Sequence, residues 1–257
     1  MPAKILTFYS EMGGGGKTTS VINVAAALQA QGKRCLVVDL DSQADASKWL
    51  GLDKDDLNQP NTITAFEVVT MQNMAAEAIM PVRDSLDLIA GVDRLKAADR
   101  ITAAEIGREF FVKQQLAEVR DRYDYILIDP PGKSGFLSTA SMAAADYVII
   151  PIEANKKGYD AIAATLPDIV LIKQRLNAAL SILGILLVRF HGASNISFDI
   201  QDAVNEVYGE SIGVFSTVIH EAKALQYAFA HSQTILEYDA KSRAAKEYVA
   251  FAKELEI

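Results

Sequence analysis

The chain has 257 residues, half of them hydrophobic, and its formal net charge is −8 at pH 7. This length suits one ample domain or two tight ones, and because no change in composition marks a boundary, we expect a single domain over residues 1–257. The negative charge argues against a generally basic nucleic-acid-binding protein, although it leaves a local basic patch open.

The first predicted element is a strand that leads through a glycine-rich loop into a helix. Residues 5–8 are mostly apolar, four glycines follow at 13–16, and a helical pattern starts at Val21. Glycines let backbone N–H groups turn inward around an anion, and a helix N-terminus adds partial positive charge. Lys17 can reach the β- and γ-phosphates of a nucleotide, and the Thr18 hydroxyl can ligate Mg²⁺. The residues expected to contact the nucleotide are Gly13, Gly14, Gly15, Gly16, Lys17, Thr18 and Thr19.

The next element is a buried strand over residues 34–41 that ends in two acids, Asp39 and Asp41. The period of two along a strand places both carboxylates on one side. Beside a phosphate-binding loop, such acids can orient a Mg²⁺-bound water or the water that attacks the phosphate. Cys35 is the single cysteine and lies in the same apolar run, which predicts a core residue in a reducing compartment. No apolar run reaches transmembrane length, so we expect a cytoplasmic protein.

The middle of the chain carries helical patterns and two further strands. The helical patterns lie within 42–60, where the single tryptophan Trp49 stands, at 62–80 and at 103–120, and a short strand lies at Leu86–Ile89. The strand over 123–129 ends at Asp129, which has the form of a Walker B acid. Its expected role is to hold a water on Mg²⁺ opposite Thr18.

The remaining elements continue the alternation. Predicted strands lie at 147–151, 181–190 and 212–218, a loop at 153–158, and predicted helices at 136–145, 159–176, 198–207, 222–229 and 241–256. Strands that alternate with helical patterns are typical of parallel βαβ units. The sequence therefore predicts an α/β fold, a doubly wound and mostly parallel sheet with helices on both faces. Its ligand should lie beyond the carboxyl ends of the strands.

The glycine loop resembles the deviant Walker A box of the ParA/MinD family of P-loop ATPases. The ordinary pattern G-x-x-x-x-G-K-[ST] would need glycine where Glu11 stands, whereas residues 12–19 are similar to K-G-G-x-G-K-[ST]-[ST]. In that family the first lysine crosses a dimer interface to the partner's nucleotide, and here its position holds Met12. A thioether cannot neutralise phosphate charge, so this role is either lost or supplied by another residue.

Three further stretches resemble motifs of the same family. Residues 39–43 are similar to D-x-D-P-Q, residues 125–131 to Y-I-I-I-D-x-P-P, and residues 235–243 to P-I-L-E-Y-D-P-K-S-R. The resemblance implies an ATPase that converts ATP to ADP and phosphate, with ATP and Mg²⁺ as cofactors. It makes Lys17 and Asp41 the catalytic residues. The residues expected around the metal are Thr18, Asp39 and Asp129.

The family's activity implies a homodimer that forms on ATP, binds nucleoid DNA without sequence preference and positions or partitions cargo. A small adaptor protein would stimulate hydrolysis. No membrane partner is expected, because the C-terminal helix lacks the basic face of a membrane anchor. The family's DNA-binding arginines fall on Ala193, Glu221 and Ala224, which carry no basic group. The first candidates to replace them are Lys223, Arg189 and Arg243, followed by Lys241 and Lys246, although such residues are often an ordinary solvated face.

The loop after Pro151 offers a replacement for the missing lysine. Lys156 and Lys157 follow a strand and should therefore lie on the same edge of the sheet as the phosphates. We favour Lys157, because Gly158 frees the adjoining backbone. A missing loop lysine combined with a lysine in this later loop resembles the McdA-like ATPases that position carboxysomes. Carboxysome positioning is therefore the favoured function, and plasmid or chromosome partition is the alternative.

Two other functional classes use related folds or switches. A nitrogenase-reductase relative needs several thiolates and a glutamine-dependent amidating synthase needs a nucleophilic cysteine, whereas the chain has one cysteine in an apolar run. A GTPase that selects its base through N-K-x-D would need aspartate where Gly158 stands. We favour the ATP-switched organiser and keep an ATP-dependent amidating enzyme as the alternative of another class.

Overall fold

The computed structural model describes residues 2–59 and 61–255, and a seven-stranded sheet forms its centre. The strands are β1 (Lys4–Phe8), β2 (Cys35–Asp39), β3 (Ile79–Arg83), β4 (Leu86–Ile89), β5 (Tyr125–Asp129), β6 (Tyr147–Glu153) and β7 (Ser181–Val188). Their order across the sheet is β3-β4-β2-β5-β1-β6-β7. All neighbouring strands are parallel except β3, which pairs antiparallel with β4 at one edge.

Helices cover both faces of the sheet, and the predicted α/β architecture is confirmed. They are α1 (Lys17–Ala30), α2 (Asp45–Trp49), α3 (Lys54–Leu57), α4 (Ala65–Val69), α5 (Ala98–Ile101), α6 (Phe111–Ala117), α7 (Phe136–Ala144), α8 (Lys156–Arg175), α9 (Asn195–Tyr208), α10 (Lys223–Ala230), α11 (Ile235–Asp239) and α12 (Arg243–Glu254). Among the described residues, none of these helices is long and apolar enough to cross a membrane.

Alternation along the central strands divides the core into two layers. In β1, Ile5 packs on the face that α4 and α6–α9 cover, whereas Leu6 packs on the face that α1, α2 and α10–α12 cover. Every residue of β2 and of β5 is buried, because both strands have neighbours on either side and helices above and below. Strand ends that carry polar residues therefore meet at one carboxyl edge, where a ligand site can form.

Two helix predictions were wrong, and a local backbone feature explains each. The pattern at 62–80 forms only the short α4, because Met71 takes a left-handed conformation with φ 57° and the chain then turns into β3. The pattern at 103–120 forms α6 and a 3₁₀ turn at Arg108–Phe110, and Gly107 with φ 75°, directly before that turn, interrupts a continuous helix over this stretch. Apolar spacing alone did not reveal these breaks.

The strand predicted at 212–218 was also wrong. This segment lies beside β7 but bonds to it only at intervals, since Ile185 N donates to Gly213 O at 3.0 Å and Phe215 N donates to Ile185 O at 3.0 Å. Gly213 has φ 91°, which interrupts the extended backbone that a regular strand needs. The helix predicted at 241–256 is α12, and the last residue of that prediction lies outside the described residues.

Candidate functional site

The glycine loop joins β1 to α1 at the carboxyl edge of the sheet and lines a cavity of about 580 Å³. Gly16 is the residue before α1 and has φ 78°, a conformation that costs little only for glycine. A Cβ atom at Gly16 would also lie 3.0 Å from Val188 Cγ2. All seven residues predicted to contact the nucleotide line this cavity, namely Gly13, Gly14, Gly15, Gly16, Lys17, Thr18 and Thr19.

Lys17 lies buried beneath the loop and is held by backbone oxygens. Its Nζ donates to Met12 O at 2.9 Å and to Ser10 O at 3.2 Å. Burial lowers the pKa of Lys17, and the nearby charges of Asp129, Asp41 and Glu11 oppose that shift. The ammonium group therefore rests on neutral acceptors beside several acids, and it is placed to exchange those acceptors for phosphate oxygens.

Thr18 and Asp129 meet across the floor of the site. Thr18 Oγ1 donates to Asp129 Oδ2 at 2.7 Å, and among the described residues Asp129 Oδ1 is buried without a hydrogen-bond partner. Burial, followed by the charge of Asp39, raises the pKa of Asp129 well above its usual range. A hydroxyl beside a carboxylate with an unused oxygen fits Mg²⁺, which binds hard oxygen ligands and keeps some of its waters. A bound cation would also favour the ionised form of this acid.

Of the two acids that were predicted to lie on one side of the strand, only Asp41 lines the cavity. The strand ends at Asp39, which is fully buried, and the chain then turns so that Asp41 lines the cavity. Asp39 Oδ2 accepts from Ser47 Oγ at 2.6 Å and from Ser47 N at 3.0 Å, while Oδ1 accepts from Asp41 N at 3.1 Å. Burial raises the pKa of Asp39 to about 7. These hydrogen bonds engage both carboxylate oxygens of Asp39. A contact between Asp39 and the metal therefore stays a prediction.

Ser47 is a structural residue of the site that the sequence patterns did not reveal. Its hydroxyl donates to Asp39 and accepts from Gly91 N at 2.8 Å, so it joins α2 to β2 and to the residues after β4. Asp41 is less constrained, because its Oδ1 accepts one bond from Gln43 N at 2.9 Å. Of the two acids, Asp41 is therefore the one that can contact a water in the cavity.

The far wall of the cavity is aromatic and was also not predicted as part of the site. Trp49 and Phe229 meet edge to face with ring centroids 5.1 Å apart, and both line the cavity. Trp49 Nε1 donates to Gln233 O at 2.7 Å, which fixes the indole. A lone tryptophan in a short helix gave no signal of this position, since its partners are about 180 residues away in the chain.

The residue at the position of the missing lysine is buried. Met12 is 2% exposed, and its carbonyl, rather than its side chain, serves Lys17. Lys156 and Lys157 lie in the first turn of α8 rather than in a loop, because the Asn155 side chain accepts from Gly158 N at 2.9 Å and caps the helix there. Lys156 pairs with Asp160 one turn away, whereas Lys157 is exposed and forms no ion pair within the described residues.

The candidate DNA-binding residues fall into two groups. Arg189 pairs with Glu153 and lines the cavity, and Arg243 pairs with Glu247. Lys223 is exposed at the start of α10 and makes no ion pair in the part of the chain that the structure describes. Lys241 and Lys246 are also exposed, and they make no ion pair within the described residues.

Comparison with known proteins shows the family to which the chain belongs. A family model described as an AAA domain matches residues 3–182. The chromosome-partitioning ATPase Soj of Treponema pallidum is 32% identical over 254 residues, which cover 98% of this chain and 96% of that protein. The chain belongs to this AAA domain family.

Two solved structures extend the likeness of this AAA domain protein to nucleotide complexes. The complex of McdA from Cyanothece with ATP, which carries an aspartate-to-alanine substitution, has a TM-score of 0.86 and 27% identity and covers 98% of this chain and 95% of that chain. Cobyrinic acid a,c-diamide synthase from Mycobacterium smegmatis, with a bound ATP analogue and magnesium, has a TM-score of 0.84 and 27% identity. The match covers 98% of this chain and 93% of that chain. The prediction of a ParA/MinD-like P-loop ATPase is confirmed.

Proposed function

We propose that this ATPase acts as a single-domain, nucleotide-switched organiser that positions or partitions cargo inside the cytoplasm. ATP brings two copies together, the dimer binds nucleoid DNA, and a small adaptor protein stimulates hydrolysis and release. The observation that carries the proposal is that Lys17, Thr18 and Asp41 line one cavity and that Thr18 bonds to the buried Asp129. The chain is also 32% identical along its length to a chromosome-partitioning ATPase.

Each site residue has a distinct task in this proposal. The loop N–H groups and Lys17 bind the phosphates, with Lys17 leaving the carbonyls of Ser10 and Met12 to do so. Thr18 and Asp129 hold Mg²⁺, which neutralises phosphate charge when it is bound. Asp41 orients the attacking water.

Carboxysome positioning is our preferred cargo assignment, ahead of plasmid or chromosome partition. Its support is the combination of Met12 at the signature position with Lys157 at the start of α8, where no described acid pairs with it. Two triphosphates that face each other in a dimer need cationic compensation, and Lys157 is available to supply it. Likeness to McdA at 27% identity favours the carboxysome, whereas likeness to Soj at 32% identity favours partition.

DNA binding is assigned first to exposed lysines. Lys223, Lys241 and Lys246 carry charges that no described acid neutralises, whereas Arg189 and Arg243 are paired with glutamates. Because the chain carries a net charge of −8, a monomer should bind DNA poorly, and dimerisation would double whatever basic stripe is present.

An ATP-dependent amidating enzyme is the second candidate, and likeness to cobyrinic acid a,c-diamide synthase supports it. Glutamine-dependent amidation needs an accessible thiolate. Cys35 is the single cysteine, it is buried, and burial raises its pKa to about 12. This chain alone therefore offers no group for glutamine hydrolysis, and we rank this candidate below the organiser.

Retention of the protein on non-specific DNA tests the proposed switch. With Mg·ATP we expect retention at low salt that falls steeply as salt rises, and with Mg·ADP we expect little retention. The Lys223→Ala variant should reduce the slope of log affinity against log salt by about two per dimer, since each dimer loses two phosphate contacts. Equal retention with ATP and with ADP would contradict the switch.

A further inference from the structure

The hydroxyl of Tyr9 lies between two carboxylates directly before the glycine loop. Tyr9 follows β1, is fully buried, and its Oη is 2.7 Å from Glu11 Oε1 and 2.6 Å from Asp168 Oδ2. Glu11 belongs to the loop and Asp168 to α8. One buried hydroxyl therefore connects the phosphate-binding segment to a helix on one face of the sheet.

The Tyr9 hydroxyl has two short contacts with carboxylate oxygens but only one proton to place in them. Burial and the hydrogen bonds to Asp168 and Glu11 raise the pKa of Tyr9 far above its ordinary value, so the phenol keeps its proton. A phenol has a single proton and can donate to only one acceptor at a time. When both carboxylates are ionised, one of the two short oxygen–oxygen contacts has no hydrogen in it, so Glu11 and Asp168 compete for the same donor.

A second contact joins the same two segments. Glu11 N donates to Thr165 Oγ1 at 2.9 Å, and the Thr165 hydroxyl in turn donates to Ala161 O at 2.7 Å. Thr165 is fully buried. Thr165 and Asp168 are three residues apart on α8 and therefore lie on one face of the helix. That face holds residue 11 by its backbone and residue 9 by its side chain.

These contacts reach the catalytic lysine through the backbone. The carbonyls that accept from Lys17 belong to Ser10 and Met12, the two residues on either side of Glu11. Any shift of Glu11 relative to α8 must move one or both carbonyls. Among the described residues, neither Thr165 nor Asp168 lines the nucleotide cavity. Residues of α8 that lie outside the cavity therefore contact the segment whose carbonyls hold Lys17.

We propose that Tyr9, Thr165 and Asp168 are positioning residues that fix residues 9–12 of the loop to α8 and so hold Lys17 ready for the phosphates. Competition from Glu11 for the Tyr9 hydroxyl keeps this attachment weaker than it would be with a full set of hydrogens. The inference rests on the nucleotide site alone. It does not depend on dimerisation, on DNA or on the cargo.

Because one hydrogen is missing, the alanine variant and the amide variants should change ATP affinity in opposite directions. Asp168→Ala removes one acceptor and leaves the loop held by fewer bonds, so ATP affinity should fall about tenfold, the typical effect of losing a hydrogen bond to a charged group. Asp168→Asn and Glu11→Gln each introduce an amide N–H that can donate to Tyr9 Oη while Tyr9 donates to the remaining carboxylate. Both amide variants should therefore bind ATP at least as tightly as the unmodified protein.

Titration of ATP, followed by the fluorescence of Trp49 in the cavity, measures these affinities directly. Asp168→Ala should raise both the dissociation constant and KM about tenfold while kcat changes by less than about twofold, because Lys17 makes the same contacts once ATP is bound. A mere loss of folded protein would lower kcat and leave KM unchanged. Gln174→Ala, an exposed change on the same helix, is the control that should match the unmodified protein.

Three outcomes would overturn the inference. ATP affinity in Asp168→Ala equal to that in Gln174→Ala would show that α8 does not position the loop. Affinity in Asp168→Asn as weak as in Asp168→Ala would show that hydrogen supply to Tyr9 is irrelevant. A fall in kcat with KM unchanged would indicate a general structural role. Lys17→Ala separates these results from failure of the nucleotide site itself, because full ATP binding in that variant would refute the site and not the attachment of the loop to α8.

Discussion

Lys17 rests on two neutral carbonyls in a cavity that several acids surround. Replacing it with alanine should abolish ATP binding, because two charge-assisted hydrogen bonds to phosphate are lost, a weakening of at least about a hundredfold. Quenching or enhancement of Trp49 emission during ATP titration provides the measurement. Micromolar ATP affinity retained by Lys17→Ala would refute the assignment of the loop. Thr18→Ala, by contrast, should weaken ATP binding only when Mg²⁺ is present.

Asp41 is the acid that faces the cavity, and its loss should separate binding from hydrolysis. In Asp41→Ala the phosphate contacts of Lys17 and Thr18 stay in place, so ATP should bind normally while the hydrolysis rate falls by about a hundredfold or more. Phosphate release under single-turnover conditions measures the step. Asp121→Ala, an exposed acid far along the chain, is the matched control. Hydrolysis by Asp41→Ala at the control rate would remove Asp41 from the mechanism.

Cys35 should be nearly inert in the folded protein. Burial raises the pKa of its thiol to about 12, whereas an exposed cysteine has a pKa of about 8.5, so at pH 8 the thiolate population should be smaller by about three orders of magnitude. Reaction with a thiol reagent should therefore be slow in native buffer and fast in denaturant. Rapid labelling of the native protein would show that β2 opens or that the thiol is accessible.

Sequence patterns identified the residues of the site more fully than their orientations. The spacing around Lys17, Thr18 and Asp129 follows from chemistry that a phosphate loop always needs, and all three meet in the structure. The position of Asp39 depends on Ser47, which bonds to it from α2 and in turn accepts a hydrogen bond from Gly91 N. A period-two rule for strands could not predict that the chain turns after Asp39.

At the scale of elements, the first turn of α8 carries the strongest test of the missing lysine. Lys157→Ala should abolish ATP-induced dimerisation while the ATP affinity of the monomer stays within about twofold, because the lysine acts on the partner's phosphates. Lys156→Ala is a matched control in the same turn, since its charge is already paired with Asp160. Light scattering after gel filtration gives the mass of each variant with ATP. Normal dimerisation of Lys157→Ala would show that Met12 needs no substitute.

The regular βαβ elements were predictable, and the irregular ones were not. Long apolar strands such as β5 and β7 follow from composition, because burial on both faces requires continuous apolar residues. The errors at 62–80, 103–120 and 212–218 all involve a residue with positive φ, at Met71, Gly107 or Gly213. A methionine rarely adopts this conformation, and at Met71 it accompanies backbone bonds that end α4, from Met71 N to Val68 O and from Gln72 N to Glu67 O. The pattern of apolar side chains carries no sign of it.

At the scale of the whole molecule, the proposed switch converts an acidic monomer into a DNA-binding dimer when ATP binds. A net charge of −8 per chain opposes the association of two chains. The compensating lysine, Lys157 in our proposal, must therefore act where the two nucleotides meet. Bound ATP therefore has to supply most of the free energy that favours the dimer. Hydrolysis, by removing one phosphate from each site, should reverse dimerisation.

Sedimentation equilibrium of Asp41→Ala with Mg·ATP, with Mg·ADP and without nucleotide is the most direct test of the proposed switch. Because hydrolysis is blocked while binding is kept, we expect a mass near twice the 27.9 kDa monomer with Mg·ATP and a monomer in the other two conditions. Lys17→Ala in the same experiment should stay monomeric with every nucleotide. A mass that does not change between Mg·ATP and Mg·ADP, whether monomeric or dimeric, would contradict the nucleotide-switched dimer.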